Sequence, residues 1–64
     1  MGAVIVFGNE RLDAAAGATV QRTVSSAGKL PDTYIYLLKG RPIPMTTVIK
    51  DGDIIEAVRI ASGG

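Results

Sequence analysis

Sixty-four residues make one small domain, and a chain of that size buries only about 60% of its unfolded surface. At 47% hydrophobic and 20% charged it has the composition of a folded chain rather than a disordered one. The sequence has no cysteine and no histidine. That excludes disulfides, thiolate metal sites and a cysteine nucleophile, and it removes the commonest general base and metal ligand.

Seven basic and six acidic residues give a net charge of +1, spread along the chain. No basic block marks a nucleic-acid surface, so no direct nucleic-acid contact is expected. No apolar run reaches the roughly 18–20 residues that span a bilayer, and no membrane association is expected. Met1 to Phe7 is apolar, but it is short and has no charged leader, so it does not read as a signal peptide. Met1-Gly2 opens like a myristoylation site, but Val6 stands where Ser or Thr is required. Absence of cysteine fits a reducing compartment, and the expected location is the cytoplasm.

Ala3 to Phe7 is an unbroken β-branched and apolar run that predicts a central strand. Gly8-Asn9-Glu10 predicts a tight turn, after which Arg11 to Ala16 pairs back with Leu12 and Ala14 on one face. Gly17-Ala18 stops the hairpin, and Thr19 is the candidate N-cap of a helix of about nine residues. Val20, Val24 and Ala27 fall at i, i+4 and i+7 along it, with Gln21, Arg22, Ser25 and Ser26 facing away. Gly28 suits the position past its end. A helix this short is unstable alone and must lie on a sheet.

Leu30 to Thr33 is a loop restricted by Pro31, and Tyr34 to Leu38 is a strong strand. Lys39-Gly40 turns it into Arg41-Pro42-Ile43-Pro44, where two prolines allow only a short edge strand. Met45 to Lys50 reads as irregular with one turn of tight helix, anchored by Val48 and Ile49. Asp51-Gly52-Asp53 leads into a final strand, Ile54 to Ile60. The two aspartates flank a glycine as turn residues do, and no metal site is expected from them.

The predicted fold is α+β: a mixed four- to five-stranded sheet with one helix on one face. If the first and last strands pair in parallel, this is the β-grasp arrangement. The domain takes in residues 1–60, and residues 61–64 form a tail. Ala61, Ser62, Gly63 and Gly64 have little apolar surface to bury, and glycine carries the largest entropic cost of being fixed. The tail is therefore expected to be flexible, with a bare carboxylate at Gly64. A frayed end without a role has the same composition.

Alternation sorts the strands by face. If Tyr34, Tyr36 and Leu38 face the helix, Ile35 and Leu37 face water; if Ile55 and Ala57 face it, Glu56, Val58 and Ile60 face out. Ile35, Leu37, Val58 and Ile60 would then form a docking patch on the open face, and the opposite parity would bury them. Arg41 and Arg59 are candidates for pairing with a partner's acids. Lys29, Lys39 and Lys50 are candidate acceptor lysines.

The strand–turn–strand–helix order resembles a family when taken with Lys39-Gly40-Arg41-Pro42-Ile43-Pro44, Asp51-Gly52-Asp53-Ile54-Ile55-Glu56 and Gly63-Gly64. The family is the ubiquitin-like sulfur carriers: the thiamine-pathway carrier ThiS, the molybdopterin-synthase small subunit MoaD and the small archaeal modifier proteins. The resemblance covers nearly the whole chain. Gly17-Ala18-Thr19-Val20 is similar to the start of the helix in the thiamine carrier. The molybdopterin subunit fits less well, because its tail usually carries proline.

The resemblance implies a protein that is a substrate and not an enzyme, with no catalytic residues and no bound cofactor. An adenylating enzyme of the ubiquitin-activating type would use ATP and Mg²⁺ to activate the Gly64 carboxylate. A sulfur donor would then give a thiocarboxylate, or a lysine of a target protein would give an isopeptide bond. The carrier would act as a monomer. Its sulfur could go to thiamine, molybdopterin or tRNA; these destinations and protein conjugation all stay open. A non-covalent β-grasp interaction module is the alternative, and loss of Gly63-Gly64 would leave such a module functional.

Overall fold

The computed structural model describes residues 2–60. In chain order the elements are β1 (Ala3–Phe7), β2 (Glu10–Ala14), α1 (Val20–Ser26), a single 3₁₀ turn (Pro31–Thr33), β3 (Tyr34–Leu38), β4 (Arg41–Ile43) and β5 (Ile54–Arg59). The strands form one sheet in the order β2-β1-β5-β3-β4. β1 and β5 run parallel at its centre, and the other neighbours are antiparallel. This is the β-grasp arrangement that the sequence predicts.

α1 lies on one face. Val20 and Val24 join Ile5, Phe7, Ala14, Tyr36, Ile49, Ile55 and Ala57 in the core. Every second residue of β1, β3 and β5 enters it, as a two-residue period requires. Phe7 meets Tyr34 edge to face at 5.1 Å, one of the favourable geometries for an aromatic pair.

Both helix ends are satisfied locally, which matters for a helix of seven residues. Thr19 accepts from the Arg22 N–H at 3.2 Å through Oγ1, as an N-cap should. The unpaired N–H groups of Val20 and Gln21 donate to Thr47 O at 3.1 Å and Met45 O at 2.8 Å. At the other end Gly28 (φ +82°) donates to Ser25 O and Lys29 to Val24 O, a Schellman motif that needs a left-handed residue.

The structure corrects four local expectations. The second strand is Glu10–Ala14, not Arg11 to Ala16. A two-residue loop starts it earlier, and the chain then turns away so that Gly17 N–H can donate to Ile49 O at 2.8 Å. Met45 to Lys50 forms no 3₁₀ helix, only a single turn closed by Thr47 N–H donating to Pro44 O at 3.0 Å; its carbonyls are used to cap α1, and the 3₁₀ turn is at Pro31–Thr33 instead. Ile49 anchors that segment, whereas Val48 is 53% exposed. Ala27 is exposed, because it is the C-cap residue and lies beyond the buried stripe.

No helix among the described residues is long and apolar enough to cross a membrane.

Candidate functional site

The face of the sheet away from α1 carries no covering element. Ile35 (47% exposed), Val58 (44%) and Ile60 (41%) all lie on it, and Leu37 is there but half-buried. Ile35 is directly opposite Val58 across the β3–β5 ladder, and Leu37 is opposite Glu56. The four residues expected to share this face therefore do share it. The parity is set by Tyr36 and Ala57, which are buried one residue along from Leu37 and Val58.

Three aliphatic members of the face were not anticipated. Ile54 is the most exposed apolar residue on the sheet at 62%, and its register partner Val4 and then Val6 continue the surface onto β1. β1 was expected to be a central strand because its apolar run is unbroken. It is central in the sheet, but only the Ile5 and Phe7 side is buried. Extending the alternation of β5 back by one step would have found Ile54. Burying an aliphatic side chain of this size stabilises a complex by about 1.5–3 kcal/mol before association costs.

Glu56 sits in the middle of these aliphatics. Val6 is its neighbour on β1 and Leu37 its neighbour on β3. Ile54 and Val58 flank it along β5. A groove of about 460 Å³ opens here, lined by Val6, Leu37, Lys39, Asp53, Ile54 and Glu56.

β5 is held on both sides at its start and on one side at its end. Its register with β1 stops at Val6–Glu56, while its register with β3 continues to Arg59–Tyr34. Ile60 extends that ladder, its N–H donating to Thr33 O at 2.8 Å. The last described residue is thus fixed to the sheet and lies at the edge of the apolar face. Gly63 and Gly64, and the tail 61–64 as a whole, lie outside the described residues.

The remaining candidates separate. Arg59 and Arg41 are registered with Tyr34 and Leu38, on the helix side of the sheet, although Arg59 lines a cleft with Glu56 and Val58 at the end of β5. Lys29 donates to Glu10 at 3.2 Å and lies 5.0 Å from the Phe7 ring centroid. That pair is partly exposed and adds little stability. Lys39 and Lys50 are exposed. Asp53 accepts from the Lys50 N–H at 2.9 Å, which makes it a turn residue, and the described residues contain no cluster suited to a metal. Tyr36 Oη donates to Pro31 O at 2.9 Å, and its phenol is pushed up to about 12, mainly by burial and further by Tyr34 and Asp32.

No protein-family model matches the sequence, and no curated protein matches it at a significant level. Among solved structures, a ubiquitin from Caldiarchaeum subterraneum matches over 100% of this chain and 98% of its own, at a TM-score of 0.62 and 26% sequence identity. The fold is a ubiquitin-like β-grasp, and the likeness extends along the full length of both chains.

Proposed function

We propose that this protein is a ubiquitin-like modifier or sulfur carrier that acts through the carboxylate of Gly64. The observation that carries the reading is the position of β5: the central strand runs straight to Ile60, which is pinned to Thr33, and Gly64 is only the fourth residue after Ile60. Four residues reach at most roughly 14 Å when extended. A partner seated on the apolar face beside Ile60 would therefore hold its reacting centre within reach of that carboxylate. The chemistry is the same whether Gly64 is the encoded end or is uncovered by processing.

In this reading the partner is an adenylating enzyme of the ubiquitin-activating type, working with ATP and Mg²⁺. A Gly64 carboxylate oxygen attacks the α-phosphorus of ATP and pyrophosphate leaves. The amine of a target lysine, or the outer sulfur of a donor enzyme's persulfide, then attacks the acyl carbon and AMP leaves. In the sulfur case a second donor thiol cleaves the resulting acyl disulfide, forming a disulfide on the donor and releasing the thiocarboxylate. The products are a thiocarboxylate for sulfur transfer or an isopeptide conjugate. The protein contributes no catalytic group of its own. It has no cysteine or histidine in its sequence. A reducing compartment that contains ATP, the cytoplasm, suits both outcomes. The likeness to an archaeal ubiquitin supports the modifier reading at its general level, and the diglycine supports the activated end.

Intact-mass measurement after incubation with ATP, Mg²⁺ and a cognate adenylating enzyme tests the proposal. A Gly64 adenylate, thiocarboxylate or conjugate is expected, and it should vanish when Gly63-Gly64 is deleted. An unchanged mass under conditions where the enzyme is active would refute it.

A further inference from the structure

We infer that the uncovered face receives a protein partner that presents an arginine or lysine between aliphatic side chains, with Glu56 as the acceptor. The inference rests on the reading of this face as a docking surface and specifies the chemistry of what docks there.

Glu56 occupies the centre of a row that runs Arg11, Val6, Glu56, Leu37, Pro42 across β2, β1, β5, β3 and β4. Its nearest neighbours in every direction on the sheet are aliphatic: Val6, Leu37, Ile54 and Val58. Among the described residues none donates a hydrogen bond to its carboxylate, and the one ion pair is Lys29–Glu10; Lys29 borders a shallow cleft with Glu56 but engages Glu10 instead. Arg11 is two strands away in the same row, roughly 10 Å at ordinary strand spacing, and it makes no ion pair with Glu56.

Covering the aliphatics strips water from the carboxylate as well. An ion dehydrated without a partner cancels much of what apolar burial supplies, and only a hydrogen-bonding cation offsets the loss. A purely apolar partner or an acidic one is therefore rejected. A second copy of the chain fits poorly where the two-fold axis passes close to Glu56, because that contact sets Glu56 against Glu56. The groove of about 460 Å³ beside Glu56, which Lys39 and Asp53 also line, can admit one long side chain. The stem of an arginine or lysine would lie along Val6, Leu37 and Ile54 while its head met the carboxylate. Arginine fits best, since its fork can engage both carboxylate oxygens.

The test is an NMR titration of the isotope-labelled full chain with three capped peptides, Thr-Val-Arg-Val-Thr and the same sequence with glutamate or norleucine at the centre. The arginine peptide should shift the amides of Val6, Leu37, Ile54, Glu56 and Val58, and should bind about tenfold more tightly than the other two, as one charge-assisted hydrogen bond allows. Glu56→Gln, an isosteric change at an exposed position, should remove that preference while leaving the spectrum otherwise native. Equal or tighter binding of the norleucine peptide overturns the inference. So do shifts elsewhere on the molecule, no selective shift at all, or concentration-dependent self-association through this face. Because no activating enzyme is present, the outcome is independent of whether Gly64 is ever adenylated.

Discussion

Ile35 stands directly opposite Val58 on the bare side of the sheet, while Tyr36 and Ala57, the next pair along the same ladder, are buried under the helix. One residue of displacement therefore separates a surface position from a core position. Ile35→Thr keeps the β-branch and is expected to change stability by no more than about 1 kcal/mol. Ile55→Ala removes a fully buried side chain and is expected to cost about 2–5 kcal/mol. Urea denaturation measures both. In an adenylation assay Ile35→Thr should raise KM for this protein at least about fivefold with kcat unchanged, the signature of lost binding. An unaltered KM would remove Ile35 from the docking face.

Tyr36 ties β3 to the 3₁₀ turn through its bond to Pro31 O. Its phenol titrates near 12 in the folded chain against an ordinary 10, so the folded state holds the proton more tightly. The corresponding stability is fully present below pH 10 and is lost as the pH rises through about 12. The loss should be on the order of 2 kcal/mol. Tyr36→Phe should lose about 1 kcal/mol at neutral pH through the missing hydrogen bond. It should also show a shallower decline above pH 10. Urea midpoints taken from pH 8 to 12 distinguish the two proteins, and parallel profiles would show that Tyr36 is not the titrating group.

Thr19→Ala removes the side-chain acceptor at the start of α1 and should cost about 1 kcal/mol. Val20 and Gln21 keep their partners Thr47 and Met45, so the helix should shorten rather than detach. Hydrogen exchange should accelerate at Arg22 and leave Val24 and Ala27 protected. Uniform acceleration through α1 would show that the cap carries more than this.

Lys39 and Gly40 form the two-residue loop between β3 and β4, both at positive φ, +54° and +79°. That is the pattern of a type I′ turn, in which asparagine is preferred at the first place. Lys39→Asn should stabilise the protein by about 0.5–1 kcal/mol, because a long side chain is disfavoured in the left-handed region. Gly40→Ala should destabilise it by about 1 kcal/mol. Thermal melts report both, and a lower melting temperature for Lys39→Asn would contradict the turn assignment.

Local chemistry made much of this molecule readable before its structure. Thr19, Gly28, Lys39-Gly40 and Asp51-Gly52-Asp53 mark their own turns and caps through backbone preference and short-range hydrogen bonds. The two-residue period of Tyr34 to Leu38 and of Ile54 to Ile60 sorted Ile35, Leu37, Val58 and Ile60 from their neighbours, and the β3–β5 register and the helix then decided that they share the open face. The diglycine at positions 63 and 64 is legible as sequence, but it lies outside the described residues.

Tertiary structure decided what depends on neighbours distant in sequence. An unbroken apolar run such as Val4 to Phe7 does not say which of its faces is covered, since that is settled by the presence of a single helix on one side. Met45 and Thr47 show no local sign of capping α1; they meet Gln21 and Val20 only because the chain folds back. The same is true of Glu56. Its apolar surroundings come from β1 and β3, about fifty and nineteen residues earlier in the chain, and become visible only when strand order and register bring Val6 and Leu37 to either side of it.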